Sequence, residues 1–315
     1  MISAVIRHKD GTMNIHNSPV DKVGETFPPG YYKCNEDRNG NTSIKAEDLT
    51  ELHQPFNTEE VNHLFKCVAG FFKDNSQRMV NSLGFTHKLG LLLSGEAGTG
   101  KTSIMNYIAS QMIESQGAIV FFCDDNNSFF TAIEVAASIR KIQNSPIVFV
   151  ADEFDRYVEG SSEKEAHVKD FLDGKLSIDN SLVLAATNYL DRIPNSIKNR
   201  PSRFRYTVEI KGIQTKEDVE AVVDVILGEL DKKDKRKDLK KEIMTNFVSF
   251  PVTMDQIKSH VLNEVLSVNL PKISQKSIGF ASAKDERSER TTMKRSGSLA
   301  DLIGGAMIMG LKDMD

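Results

Sequence analysis

The sequence has few cysteines and lacks a long apolar run. Its three cysteines, Cys34, Cys67 and Cys123, stand far apart without a Cys-x-x-Cys pair, which argues against a disulfide scaffold and a zinc module. No apolar stretch approaches the ~20 residues that a membrane-spanning helix needs. The first residues lack the basic-then-apolar order of a secretory signal. We therefore expect no export, no membrane partner and a location in a reducing cytoplasm.

An excess of basic residues is also missing. Forty Lys and Arg stand against 44 Asp and Glu, for a net charge of −4, which excludes a polybasic coat for nucleic acid. Hydrophobic residues make up 39% and charged residues 27% of the chain, an ordinary globular composition. At 315 residues the chain exceeds one small core, so we expect two packed units with appendages.

Turn signals and apolar patterns divide the chain into four parts. Short strands around turns such as Asp10-Gly11 predict a β-rich N-terminal appendage over residues 1–56. A capping pattern predicts that a helix opens at Asn57. Amphipathic stretches predict an all-helical part over residues 213–270, and a Ser/Lys/Arg-rich composition predicts a disordered tail over 271–315. Within that tail the apolar segment Leu299–Met309 is either a docking peptide or a frayed terminus.

Residues 57–212 have the pattern of an α/β subdomain. Short apolar runs alternate there with helix-sized segments, which predicts a parallel sheet with helices on both faces. The predicted strands are Leu89–Leu93, Ala118–Phe122, Ile147–Ala151, Leu182–Ala186 and Tyr206–Ile210.

A glycine-rich motif follows the first of these strands. Residues 95–102 match G-x-x-x-x-G-K-[ST], in which main-chain N–H groups turn inward towards phosphate oxygens. We expect Lys101 to lie near the β- and γ-phosphates and the Thr102 hydroxyl to bind Mg²⁺. A chance glycine-rich turn is the alternative, but a strand before and a helix after favour a P-loop. The predicted nucleotide-binding residues are Gly95, Glu96, Ala97, Gly98, Thr99, Gly100, Lys101, Thr102 and Ser103.

A pair of carboxylates ends another predicted strand. Asp152 and Glu153 follow Ile147–Ala151, where Asp152 would hold Mg²⁺ largely through water and Glu153 would polarise an attacking water. A pair of acids capping a helix is the alternative reading.

The order of motifs resembles that of an AAA+ ATPase, and of its AAA subgroup in particular. After the P-loop and Asp152-Glu153 come Thr187-Asn188 and then Arg200-Pro201-Ser202-Arg203-Phe204, similar to that subgroup's Arg-x-Gly-Arg-Phe. The resemblance covers roughly residues 57–268 and implies ATP and Mg²⁺ as ligands, a helical lid and assembly into a ring, as a hexamer. The sequence has one P-loop and no His-Glu-x-x-His, so we expect one ATPase module without a peptidase.

The resemblance also implies roles for three further residues. Asn188 would be the sensor that orients the attacking water with Glu153, and Arg200 and Arg203 would act on the neighbouring subunit's nucleotide, at least one as an arginine finger. Asn188 capping its turn, and a solvated basic turn at the arginines, are the alternatives. The chain departs from the family pattern at three places: Glu96-Ala97 replaces Pro-Pro, Ser202 replaces Gly and Arg205 replaces Asp.

An aromatic residue lines the pore in relatives that thread polypeptide. Phe129 and Phe130 follow the second predicted strand, but the usual aromatic–aliphatic–Gly order is missing and a core position explains them equally well.

The preferred function is ATP-driven remodelling or threading of a protein substrate. One alternative is a loader that acts with nucleic acid through the basic run Lys232–Lys241, although a solvated helix face is the better reading of that run. A second alternative is a scaffold that assembles on binding ATP and turns over little.

Overall fold

The computed structural model describes residues 4–7, 12–16, 26–36, 42–48, 55, 58–228 and 238–266, with the backbone alone at 4–7 and 12–16. All these residues belong to one compact unit. The predicted tail, with its segment Leu299–Met309, lies outside the described residues.

The described part of the chain holds nine strands and nine α-helices. The strands are β1 (Ala4–Arg7), β2 (Thr12–His16), β3 (Gly30–Glu36), β4 (Thr42–Glu47), β5 (Lys88–Ser94), β6 (Ile119–Cys123), β7 (Ile147–Ala151), β8 (Ser181–Thr187) and β9 (Tyr206–Glu209). The helices are α1 (Glu59–Phe71), α2 (Ser76–Ser82), α3 (Lys101–Gln116), α4 (Asn126–Arg140), α5 (Ser162–Asp173), α6 (Asn195–Lys198), α7 (Lys216–Gly228), α8 (Leu239–Thr245) and α9 (Met254–Val265).

The strands form one sheet in the order β1-β2-β4-β3-β6-β7-β8-β5-β9. From β3 to β9 every neighbouring pair is parallel, which confirms the predicted α/β class. Strands β5 and β8 are buried along their whole length because helices cover both faces. Leu91 packs into the core on one face and Leu92 into the core on the other. The five strands predicted for residues 57–212 lie within one residue of the observed bounds.

The N-terminal strands extend the central sheet. Strand β3 pairs in parallel with β6, joining Gly30 to Ile119, while β4 pairs antiparallel with β3. Tyr32 and Ile44 are buried in the same core cluster as Phe121 of β6. The predicted β-rich character is confirmed, and this segment shares a core with the α/β layers. Its predicted boundary at residue 56 stays a prediction.

The N-cap of helix α1 lies one residue later than predicted. The Thr58 side chain accepts a hydrogen bond from the Val61 N–H (3.3 Å), so Thr58 is the N-cap and Glu59 is the first helical residue. Asn57 was placed at the cap by the sequence pattern, but the chain uses the hydroxyl that follows it.

Helices α7, α8 and α9 pack around a small core of their own. Val219 and Val223 of α7 meet Ile243 of α8 and Ile257 and Val261 of α9. Capping by Thr253 and Gln256 fixes the start of α9, whose first turn lies against the glycine-rich loop. None of the helices in the described ranges has the length and apolarity needed to cross a membrane.

Candidate nucleotide-binding site

The glycine-rich loop joins the end of β5 to the start of α3. Gly95 has φ 148°, and a β-carbon there would lie 2.2 Å from the Ile210 carbonyl oxygen, so only glycine lets the two backbones approach. Gly100, with φ 93°, starts α3, and the Ile104 N–H donates to its carbonyl oxygen. The loop therefore delivers the N-terminus of a 16-residue helix to the carboxyl edge of the sheet.

Lys101 folds back over this loop. Its Nζ donates hydrogen bonds to the carbonyl oxygens of Gly95 (2.9 Å) and Glu96 (2.7 Å). Burial lowers the pKa of Lys101, and the charges of Asp152 and Asp255 oppose that shift. The ammonium is thus held inside the loop by two carbonyl oxygens, and its predicted contact with the β- and γ-phosphates stays a prediction.

Thr102 and Asp152 meet across the gap between α3 and β7. The Thr102 hydroxyl donates to Asp152 Oδ2 (2.5 Å), while Asp152 Oδ1 accepts from the Glu153 N–H (2.8 Å). A hydroxyl beside a carboxylate is an all-oxygen donor pair, which fits Mg²⁺. No group of three or more His, Cys, Asp or Glu among the described residues is arranged to hold a metal, so further ligands would come from water and substrate oxygens.

Glu153 lies in the left-handed region, with φ 49° and ψ 46°. A non-glycine residue there costs on the order of 1–3 kcal/mol, which the buried strand before it and the short 3₁₀ turn Phe154–Tyr157 sustain. Its carboxylate forms an ion pair with Arg156 at 2.5 Å, in which the Arg156 side chain is exposed and the Glu153 side chain is about half exposed. The sequence did not single out Arg156, because its partner is decided by the turn that follows β7.

Asn188 comes directly after β8 and lines a cavity that Lys101, Thr102 and Asp152 also line. The turn is fixed from below, where buried Thr187 donates to Asp155 Oδ1 (2.6 Å) and accepts from the Tyr189 N–H (2.9 Å). Sequence reasoning gave no role to Asp155 or Thr187, although Thr187 precedes Asn188 directly and Asp155 lies two residues after Glu153.

A cavity of about 430 Å³ collects these groups. Of the predicted residues it is lined by Ala97, Gly98, Gly100, Lys101, Thr102, Ser103, Asp152, Glu153 and Asn188. Asp255 of the lid also lines it, a residue that the sequence gave no reason to choose. Gly95, Glu96 and Thr99 belong to the same loop and contact Lys101.

The two arginines lie apart from this cavity and differ from each other. Arg203 is buried, with Nε 2.9 Å from Asp173 Oδ1 and Nη1 donating to the Ser196 carbonyl oxygen (2.7 Å). The Arg200 side chain is 60% exposed and lies 3.5 Å from Asp173 Oδ2. Arg203 is therefore held within its own chain, and Arg200 is presented to solvent.

Both phenylalanines proposed for a pore belong to helix α4. Asp125 and Ser128 cap this helix, so Phe129 and Phe130 follow its first turn and do not lie in a loop. Phe129 is fully buried against Tyr157 and Phe171, so the pore interpretation of Phe129 is wrong. Phe130 packs beside the same core, which explains both residues by apolar burial.

The strand order and the loop define the class of protein. A parallel sheet with the order β9-β5-β8-β7-β6, a glycine-rich loop between β5 and α3, and an acid after β7 is a P-loop nucleotide-binding fold. The site lies at the carboxyl ends of the strands, where open α/β sheets bind ligands.

Comparison with known proteins shows which sequences part of this chain resembles. Residues 91–212 match the family described as ATPase family associated with various cellular activities (AAA). An ATP-dependent zinc metalloprotease FtsH from Heterosigma akashiwo is 30% identical over 188 residues, 54% of this chain and 26% of that protein. FtsH 2 from Petrotoga mobilis is 27% identical over 218 residues, 62% of this chain and 33% of that protein. Residues 91–212 are thus similar to the AAA family, in agreement with the order of motifs in the sequence.

The extent of these matches is limited. The chain spans about a quarter to a third of the length of the curated relatives it matches. Among solved structures, the FIGL-1 AAA domain in complex with ADP is 16% identical, covering 70% of this chain and 74% of that one with a TM-score of 0.47.

Proposed function

We propose that this chain binds ATP with Mg²⁺ in the cavity at the carboxyl edge of the sheet and hydrolyses it to ADP and phosphate. The observation that carries the proposal is the meeting of Lys101, Thr102 and Asp152 at one end of a P-loop that opens a long helix. Glu153 and Asn188 line the same cavity, which supports their proposed roles as base and sensor.

Binding would use main-chain donors first. The N–H groups from Gly98 to Thr102 belong to the end of the loop and the first turn of α3. The N-terminus of a helix attracts anions. Lys101 adds a fixed positive charge for the terminal phosphates. Thr102 and Asp152 are the residues that would hold Mg²⁺, and the ion supplies Lewis-acid polarisation of the phosphate oxygens when bound.

Hydrolysis needs a water activated by a base. A water oxygen forms the new bond to the γ-phosphorus while the bond to the β–γ bridging oxygen breaks, and Glu153 takes the proton of the water. The Glu153 carboxylate now pairs with Arg156, and because this pair is exposed it is weak enough to exchange for a water contact. Asn188, fixed by the turn after β8, would orient that water.

We assign the trans contact to Arg200. A guanidinium is needed beside the γ-phosphate to neutralise the charge that spreads there, and neither arginine lines its own chain's cavity. Arg200 is the exposed member of the pair, whereas Arg203 is held by Asp173. Assembly into a ring, with six subunits as the resemblance implies, would complete each site with the neighbour's Arg200.

Remodelling of a protein substrate is the preferred use of this ATPase. The support is the match to the AAA family and to relatives named as ATP-dependent metalloproteases. The loader alternative depends on Lys232–Lys241, most of which lies outside the described residues, and Lys240 is engaged within the lid by Glu220 and Asp224 (both 2.8 Å). The low-turnover scaffold keeps one specific observation in its favour, the pairing of Glu153 with Arg156.

Phosphate release from ATP and Mg²⁺ tests the proposal. The wild-type chain should release phosphate. The Glu153→Gln variant should bind ATP with unchanged affinity but release phosphate at least about a hundred-fold more slowly, because the base is removed. Glu163→Gln, in the exposed first turn of α5, is the matched control and should leave the rate unchanged. Normal turnover by Glu153→Gln would remove Glu153 from this role. Stimulation by an unfolded protein favours remodelling, salt-sensitive stimulation by DNA favours the loader, and negligible wild-type turnover in an assembled ring favours the scaffold.

A further inference from the structure

Asp255 brings a lid carboxylate onto the phosphate-binding loop. It lies in the first turn of α9, and its N–H donates to the Gly98 carbonyl oxygen (3.2 Å). Its Oδ2 lies so close to Gly98 that a β-carbon there would be 2.8 Å from that oxygen. Asp255 lines the same cavity as Lys101 and Thr102.

The negative charge of Asp255 is unfavourable for phosphate binding in this cavity. The N-terminus of a helix such as α9 attracts anions, and an aspartate in its first turn satisfies that attraction from within the chain. The Asp255 carboxylate also lies close enough to act on the Lys101 ammonium, the cation available for phosphate. Both sources of positive potential are therefore partly neutralised by one lid side chain.

The other acidic residues of the cavity have different partners. Asp152 accepts from Thr102, Glu153 pairs with Arg156, and Asp124 pairs with Lys33 at 2.8 Å. Asp255 forms no ion pair with any described residue, and its side chain is exposed to the cavity. Its carboxylate is thus the one among these four that lines the cavity without an ion pair or a side-chain hydrogen bond to a described residue, and the Lys101 ammonium is the cation on which it acts.

We propose that Asp255 sets nucleotide affinity by repulsion: its carboxylate opposes phosphate binding at the P-loop. The inference rests on the proposed nucleotide binding and goes beyond it, because it assigns to the lid a residue that weakens the complex. Since α9 also holds the Gly98 carbonyl oxygen, repulsion of Asp255 by phosphate acts directly on the contact between lid and loop.

Calorimetric titration of the full chain with ATP and with ADP tests this. Asp255→Asn keeps the size of the side chain and removes its charge, so its Kd for both nucleotides should fall about ten-fold below wild type at low salt. Near 1 M salt the difference should narrow, because screening weakens repulsion in the wild type. Asp238→Asn, the same change at the start of α8 and outside the cavity lining, should bind as wild type does.

The outcomes are distinct. Equal affinity of Asp255→Asn and wild type would overturn the inference and leave nucleotide binding intact. Weaker binding by the variant, with or without Mg²⁺, would make Asp255 a contributor to binding and would also overturn it. Absence of binding by both chains would overturn the proposed function itself. Asp255→Ser, a second uncharged residue suited to the first turn of a helix, must tighten binding as Asp255→Asn does.

Discussion

Asp173 organises the segment that carries the arginines. It accepts a hydrogen bond from the Ser202 hydroxyl (2.9 Å), pairs with Arg203 Nε (2.9 Å) and lies 3.5 Å from Arg200. Because Arg203 and Asp173 are both mostly buried, loss of either partner should destabilise the fold more than loss of the exposed Arg200. One carboxylate thus fixes the backbone that presents Arg200.

We expect Asp173→Asn to destabilise the fold in a pH-dependent way. Burial by itself raises the pKa of Asp173, but bonds from Ser202 and Arg203 and the arginine charges outweigh it and hold the pKa below its usual 3.8. A depressed carboxyl pKa stabilises the folded state above the unfolded value, and this stabilisation is lost as pH falls through the folded pKa. Chemical denaturation at pH 7 should show a loss of about 2–4 kcal/mol in the free energy of unfolding.

As pH falls below 3.8, the difference in stability between Asp173→Asn and wild type should shrink, since Asp173 takes up a proton in the unfolded state before it does so in the folded state. Asp170→Asn, an exposed acid on the same helix, serves as the control and should leave stability unchanged. A loss of stability for Asp173→Asn that stays constant from pH 7 to pH 3 would contradict the role given to its charge.

At the scale of elements, the sequence predicted the individual strands and the P-loop but not the pairing of strands that are distant in the chain. The strands and the P-loop follow from runs of neighbouring residues, which is why Ile147–Ala151 was predicted with its observed bounds. The pairing of β3 with β6 depends on residues far apart in the chain, so no local pattern reports it. The contact of Asp255 with Gly98 is hidden for the same reason.

The sequence also did not predict the role of a residue where that role depends on whether its side chain is buried. An aromatic side chain such as Phe129 suits either a pore or a core. The start of α4 at Asn126, which buries Phe129, shows that it belongs to the core. Arg200 and Arg203 look equivalent in sequence, but the fold exposes one and pairs the other with Asp173.

The shared core of β3 makes a prediction at this scale. Tyr32 is 3% exposed, its ring lies 4.7 Å from that of Phe27, and its hydroxyl donates to the Pro28 carbonyl oxygen (2.9 Å). Tyr32→Ala should lower the free energy of unfolding by about 3–5 kcal/mol, as for other large buried aromatics. Denaturant titration measures this, with Glu36→Ala on the exposed end of β3 as the control. An effect below about 1 kcal/mol would mean that β3 is not part of the folding core.

For the whole molecule, one chain holds only part of the proposed site. The P-loop, Asp152 and Glu153 gather at the carboxyl edge of the sheet, whereas Arg200 precedes β9 at the opposite edge. Under the proposed function, a complete set of charges around the γ-phosphate would require a second copy of the chain. Ring assembly would supply it, and hydrolysis would then depend on how neighbouring chains meet.

Mixed assemblies test this sharing of sites. Lys101→Ala and Arg200→Ala should each lose at least about a hundred-fold in turnover when assayed alone. A Lys101→Ala chain still offers Arg200 to a neighbour with an intact P-loop, so an equal mixture should recover activity at about one interface in four. Arg78→Ala, an exposed arginine on α2, is the control and should be active by itself. Failure of every mixing ratio to exceed the separate variants would contradict the trans assignment.

Binding of ATP to the folded wild-type chain is the most direct test of the account. Calorimetry with ATP and Mg²⁺ should give saturable binding at about one nucleotide per chain, with Kd below about 1 mM. Lys101→Ala, whose ammonium is fixed by the loop carbonyl oxygens, should weaken that binding at least about ten-fold while its circular dichroism spectrum stays unchanged. A well-folded wild-type chain that takes up no ATP at millimolar concentration would contradict it.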